Sequence, residues 1–155
     1  MAKKTESRTQ FAALPWRVTT NGKLEVMLLT SRETQRWVIP KGWPIKGLRP
    51  REVAAREAYE EAGLLGSING KRPIGVYHYE KQLPEGGLLC QVHVFLFKVN
   101  QQLDDWPEKN QRDTLWFDPT EAADRVDEGW LAEIIRSRFV PTQQQPRRAD
   151  RERTP

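Results

Sequence analysis

Residues 42–64 read GWPIKGLRPREVAAREAYEEAGL. Within this stretch Glu57, Glu60 and Glu61 crowd one short segment, although like charges three and four residues apart weaken a helix. Pro50 suits a first helical position and Gly63 a stop, so the pattern predicts a helix over residues 50–62. At about 100° per residue the three glutamates fall within an arc of about 100°, with Ala55, Ala58, Tyr59 and Ala62 on the other side. The alanines let the helix sit close to a sheet. The glutamates then face a cleft or solvent, and something positive must offset their repulsion.

The neighbouring sequence supplies positive charge. Residues 32–51 hold Arg32, Arg36, Lys41, Lys46, Arg49 and Arg51 against Glu33 alone. The segment PKGWPIKGLRP contains glycines that can bring backbone carbonyls and amides beside the helix. A basic loop followed at once by clustered carboxylates suits a substrate that carries several phosphates and arrives with Mg²⁺. Hard divalent cations take oxygen ligands, commonly one or two carboxylates together with phosphate oxygens and water.

Working outward, FAALPWRV and LEVMLLT flank TTNGK, and Asn21-Gly22 fits the positive backbone angles of a hairpin turn. RWVIP is a short third strand ended by Pro40. IGVYHY and CQVHVFLFKV read as two more strands joined by a KQLPEGG loop. In the second of these, Val92, Val94 and Leu96 point one way and Phe95, Phe97 and Val99 the other, so both faces should be covered. A second helix is predicted over residues 127–138. Strands with helices on both sides imply an α/β sandwich around a mixed sheet.

The chain has 155 residues, the size of one ordinary domain, and a formal charge of +4. The excess sits at the ends. Residues 1–10 carry Lys3, Lys4 and Arg8 against Glu6, and residues 141–155 carry Arg147, Arg148, Arg151 and Arg153 against Asp150 and Glu152, so each end is +2 and the body is neutral. The organisation expected is a disordered N-terminal arm over 1–10, one folded domain over 11–140, and a disordered basic tail over 141–155. No run is long enough to span a membrane, no secretory signal is recognisable, and the single Cys90 cannot form an internal disulfide. A cytoplasmic protein with no membrane partner is expected. Nothing in the sequence specifies an oligomeric state.

The stretch from Gly42 to Leu64 resembles the Nudix box, G-x5-E-x7-R-E-U-x-E-E-x-G-U with U aliphatic. Gly42, Arg56, Glu57, Glu60, Glu61, Gly63 and Leu64 stand at the expected spacing. The match departs at Leu48, where the box has its first Glu, and at the small Ala58. In the family that Glu braces the motif arginine; here Glu52, four residues before Arg56, is expected to substitute in a Glu52–Arg56–Glu60 ladder. RWVIPKG before the box and LDDWPEKNQRDTLWFDPTEA after it extend the similarity to residues 11–125. They look like the diphosphoinositol polyphosphate and diadenosine polyphosphate phosphohydrolase branch.

The resemblance implies a Nudix-type α/β/α sandwich and Mg²⁺-dependent hydrolysis of a phosphoanhydride bond, with Mn²⁺ as an alternative ion. Metal-activated water attacks phosphorus in a small-molecule polyphosphate. By position, Glu57 and Glu61 are the main metal ligands with the Gly42 carbonyl as a third. Glu60 is the proton acceptor and a further metal-side carboxylate, a role that can exchange with Glu57, and Arg56 belongs to the catalytic motif. Arg17, Arg32, Lys41 and Arg112 are the expected phosphate contacts.

Two other functional classes fit the same residues. One is a Nudix-fold module that binds polyphosphates without cleaving them, suggested by Leu48. The other is an RNA-binding or RNA-end-processing protein, suggested by the basic ends. His78 and His93 lie in strands without metal-site spacing and are expected to be structural. Trp37, Trp116 and Trp130 are expected in or near the core, whereas Trp16, Trp43 and Trp106 are candidates to stack on a base.

Overall fold

The computed structural model describes residues 7–141. Its spine is a parallel pairing of two long strands, β1 (Ser7–Val18) and β7 (Gly86–Gln102), in register from Ser7↔Leu89 to Trp16↔Lys98. Around it lie β2 (Leu24–Thr30), β3 (Trp37–Val38), β4 (Lys41–Gly42), β5 (Leu64–Ser67), β6 (Gly75–Leu83) and β8 (Thr114–Phe117), giving one mixed eight-stranded sheet. Three helices complete the fold: α1 (Pro50–Ala62), α2 (Pro119–Arg125) and α3 (Gly129–Phe139).

The expected alternation along β7 holds. Val92 and Val94, with Leu96, pack into one core beneath α2 and α3, together with Ala12, Leu14, Tyr77, Leu131 and Ile135. Phe95 and Phe97, with Val99, pack into the other, against Ala54, Ala58 and Ala62 of α1. Those three alanines are fully buried. Small side chains at i, i+4 and i+8 remove the bulk that would hold the helix off the sheet. The result is the α/β/α sandwich expected from the sequence.

Both long strands share an edge between two partners. β1 pairs with β4 at Phe11 and Ala12 and with β2 from Trp16 to Val18. β7 pairs with β6 along its first half and with β5 along its last residues. The sheet therefore forks, and β4 brings Lys41 and Gly42 to the side of α1.

Several boundaries differ from the sequence reading. β1 starts at Ser7, so residues 7–10 of the expected terminal arm belong to the sheet; the rest of the arm and residues 142–155 of the expected basic tail lie outside the described residues. The expected KQLPEGG loop is mostly strand, because β6 runs to Leu83 and β7 begins at Gly86, where φ of 128° absorbs the tight reversal. α2 is an additional helix, opened by Asp118, whose carboxylate accepts the Thr120 N–H at 2.9 Å, and by Pro119. Trp130 is 68 % exposed rather than near the core.

α1 ends where the sequence predicts, at Gly63 in the left-handed region with φ of 69°. Its N–H donates to the Tyr59 carbonyl at 2.9 Å, and its own carbonyl accepts from Leu103 at 2.8 Å. The Trp106 ring lies against this glycine: a Cβ on Gly63 would come within 2.3 Å of it. Gly63→Ala therefore meets both an unfavourable backbone angle and an occupied space. We predict a loss of about 2–4 kcal/mol in urea-induced unfolding; a loss below ~0.5 kcal/mol would show that the Trp106 contact does not constrain the helix end.

Candidate active site

The fork between β4 and β6 opens a cleft of about 460 Å³. One wall is α1, which presents Glu57, Glu60 and Glu61. β4 forms the base with Lys41 and Gly42. The 103–113 segment closes one side with Glu108 and Arg112, and β6 forms the opposite wall with Tyr79, Glu80 and Lys81.

Gly42 sits so near α1 that a Cβ there would lie 2.3 Å from Glu57 Oε1. The Lys41 backbone N–H donates to Glu61 Oε2 at 3.3 Å. Glu61 is only 4 % exposed, and its carboxyl hydrogen-bonds with that of Glu57. Burial, then the contact with Glu57, pushes the Glu61 carboxyl well above the usual carboxylate range, with Arg112 opposing. Burial also raises Glu57, helped by the charges of Glu60 and Glu108. Both carboxyls are thus held above the usual range, Glu61 the more strongly.

Arg112 supplies the main positive charge within this group. Its side chain is 11 % exposed; it lies 3.5 Å from Glu61 Oε1, donates Nε–H to Glu108 Oε1 at 3.0 Å, and donates Nη1–H to the Thr30 carbonyl at 3.3 Å. Expected as a phosphate contact, it lines the cleft and also braces the 103–113 segment against β2 and the carboxylate pair. The same segment is tied to α1 by Glu108 N–H to the Glu60 carbonyl at 3.0 Å and Trp106 Nε1–H to the Glu61 carbonyl at 3.2 Å. Trp106 is thus a packing residue at the helix end.

The glutamate trio divides. Glu60 accepts from Arg56 Nε at 3.1 Å, the second rung of the expected ladder. The first rung is replaced: Glu52 accepts the Arg49 backbone N–H at 3.0 Å, closing the first turn of α1. Glu61 lies beside the alanine stripe rather than facing solvent, while Tyr59, placed by helical geometry on the opposite side, is 39 % exposed. Among the described residues, no three His, Cys, Asp or Glu side chains converge as a metal site. The donor set that fits a divalent cation is the Glu57–Glu61 pair with the backbone at Gly42: oxygen donors, with space kept by a glycine.

The remaining expected contacts separate clearly. Arg32 and Lys41 line the cleft, with Arg32 donating to Gln111 Oε1 at 3.0 Å. Burial lowers the Lys41 ammonium below its usual value, Arg112 and Lys81 add to this, and Glu61 and Glu128 oppose it. Arg17 does not line the cleft: it pairs with Glu25 at 2.8 Å and stacks 3.9 Å from the Trp116 ring centroid. Lys46, Arg49 and Arg51 also lie outside the lining, which carries five cations, Arg32, Arg36, Lys41, Lys81 and Arg112. Against them stand the three helix glutamates with Glu33, Glu80, Glu108 and Glu128, seven in all, so the formal balance is −2 rather than basic.

Sequence reading did not identify Gln10, Tyr77, Tyr79, Glu108 and Glu128 as cleft residues. Alternation marks Tyr77 and Tyr79 as one face of β6, but nothing in a single sequence says that this face meets the start of β1. Of the three tryptophans considered for stacking, Trp43 lines the cleft and Trp16 packs against Phe139 with ring centroids 6.3 Å apart.

A family profile described as the NUDIX domain matches residues 12–137. The chain is 32 % identical over 119 residues to Nudix hydrolase 12, mitochondrial, of Arabidopsis thaliana, covering 73 % of this chain and 57 % of that protein. It is 33 % identical over 100 residues to diphosphoinositol polyphosphate phosphohydrolase 3-alpha of Mus musculus, covering 60 % and 54 %. The chain thus spans just over half the length of these relatives. Among solved structures it is similar to a C. elegans Ap4A hydrolase binary complex, with a TM-score of 0.63 and 19 % identity over 86 % of this chain and 97 % of that one. A profile match over most of the chain, on a cleft lined by the box residues Gly42, Glu57, Glu60 and Glu61, places this protein in the Nudix hydrolase family.

Proposed function

We propose that the chain hydrolyses a phosphoanhydride bond in a dinucleoside polyphosphate, using a divalent cation, Mg²⁺ or Mn²⁺, held by Glu57, Glu61 and the Gly42 carbonyl. The observation that carries this reading is the buried Glu61 beside the half-buried Glu57, beneath a glycine that leaves no room for a side chain. When bound, the cation supplies Lewis-acid polarisation of phosphate oxygens and lowers the pKa of a coordinated water. Arg112 fixes the position of Glu61, and Lys41 and Arg32 face the phosphate chain. Arg56 holds one oxygen of Glu60, leaving the other for proton transfer.

Charge supports a dinucleoside over a diphosphoinositol polyphosphate. An inositol ring bearing several further phosphates needs a strongly basic cleft, whereas this lining has two more carboxylates than cations. One or two divalent ions offset a short phosphate chain but not a fully phosphorylated ring. A cytoplasmic setting remains part of the proposal and is supported by the single buried Cys90, which needs no oxidising compartment.

With Mg²⁺, diadenosine tetraphosphate should be cleaved with kcat/KM at least roughly tenfold above that for a diphosphoinositol polyphosphate; the reverse order, read by product mass, refutes the substrate choice. Glu61→Gln should lower kcat by roughly 10²–10³-fold while the circular dichroism melt stays cooperative. Unchanged turnover in that variant rules out the assigned ligand pair.

The raised carboxyls set the pH dependence of stability. A carboxyl whose pKa is higher when folded than when unfolded stabilises the fold fully below the unfolded value, and that contribution disappears as pH rises through the folded value. Metal-free protein should therefore lose Tm from pH 4.5 upward, and Mg²⁺ should restore more Tm at pH 8 than at pH 5. Glu61→Gln should flatten both trends; an equal Mg²⁺ effect at the two pH values contradicts metal binding at the Glu57–Glu61 pair.

A further inference from the structure

The floor of the cleft, on the side of Lys41 away from the carboxylate pair, holds polar groups that catalysis does not use. Gln10, on β1, is 4 % exposed, and its Oε1 accepts from Tyr79 Oη at 2.6 Å. That bond fixes the amide with Nε2 as its remaining group. Nε2 has no hydrogen-bond partner among the described residues, and neither does the hydroxyl of Tyr77, which is 2 % exposed. Neither atom is sealed in the interior, since among the described residues the one sealed and unpartnered side-chain polar atom is Trp116 Nε1. Both residues line the cleft, so both groups open onto it.

A buried amide donor without a partner is costly unless a ligand completes it. The surroundings define what such a ligand is. Lys41 Nζ lies 5.1 Å over the Tyr79 ring, so the phosphate-facing cation borders an aromatic floor. The Tyr77 and Tyr79 rings, with Val38 and Leu131, add aromatic and apolar surface, and Glu128 adds an acceptor. A polyol would find few acceptors for its hydroxyls. A planar heteroaromatic ring offers a ring nitrogen to a donor, an amine to a carboxylate, and a face to apolar walls.

We propose that Gln10, oriented by Tyr79, and Tyr77 form a nucleobase-recognition subsite in the cleft floor. The inference rests on the dinucleoside polyphosphate reading and deepens it by naming the residues that select the base. Gln10 supplies Nε2–H to a ring acceptor, Tyr77 supplies its hydroxyl, and Tyr79 acts as a positioning residue that sets which end of the amide faces the ligand.

The test is binding of adenosine, which carries no phosphate, to the metal-free full chain by saturation-transfer NMR, with myo-inositol as the comparison. Adenosine should bind and myo-inositol should not. Gln10→Met should weaken adenosine roughly tenfold, and Tyr79→Phe, which leaves the amide free to turn over, should weaken it severalfold. Cooperative thermal unfolding establishes that each variant is folded; if Gln10→Met is not, Tyr79→Phe decides. No adenosine binding by the parent chain, equal binding of myo-inositol, or unaltered adenosine affinity in the folded variants overturns the subsite. Hydrolysis of diadenosine tetraphosphate with Mg²⁺ is measured separately on the parent chain, so an active enzyme with no base subsite and an inactive protein that binds adenosine are distinguishable results.

Discussion

The approach of Gly42 to Glu57 is the constraint on which the site depends. A two-residue strand pairs with β1 and sets a backbone without a side chain directly against α1. The alanine stripe of α1 makes that approach feasible from the other side, because Ala54, Ala58 and Ala62 let the helix settle onto Phe95 and Phe97. Close packing thus buries Glu61 and half-buries Glu57, and that desolvation raises both carboxyls above the usual range.

Repulsion among the glutamates is handled by different partners. Arg56 answers Glu60 along the helix, as i,i+4 spacing allows, while Arg112 answers Glu61 from a segment about fifty residues away in sequence. The first partner is therefore visible in local spacing, whereas the contact of Arg112 with Glu61 is not. Arg112 lies ahead of a strand among exposed polar residues, where a loose phosphate-binding role was reasonable. Its position in the fold is fixed by Trp106 against Gly63 and by Thr30 pairing with Asp113, contacts that no local pattern encodes.

The elements legible in the sequence were those with strong periodicity or distinct stops: α1 between Pro50 and Gly63, the β1–β2 hairpin around Asn21-Gly22, and the two-sided β7. The very short β4 and β5 were not, since two to four residues carry no period, and α2 was passed over although Asp118-Pro119 and the Glu121–Arg125 pair mark it. The site was legible to the extent that its residues lie in one continuous motif. Gln10, Tyr77, Tyr79, Glu108 and Glu128 come together only through tertiary pairing, and the charge of the cleft depended on which basic residues actually face it. Lys46, Arg49 and Arg51 made the loop look basic, yet they line no part of the cavity.

The parallel β1–β7 pairing also shapes how the chain reaches its native state. The two strands are separated by about seventy residues of sequence, so the hairpin made by β1 and β2 can assemble early while its other edge waits for the partner. On a ribosome that edge stays open until residue 102 has emerged, and Ala13, Leu14 and Pro15, all buried in the finished sheet, remain available to foreign strands during that interval. The order of synthesis therefore makes the first strand the segment most in need of protection before completion of the molecule.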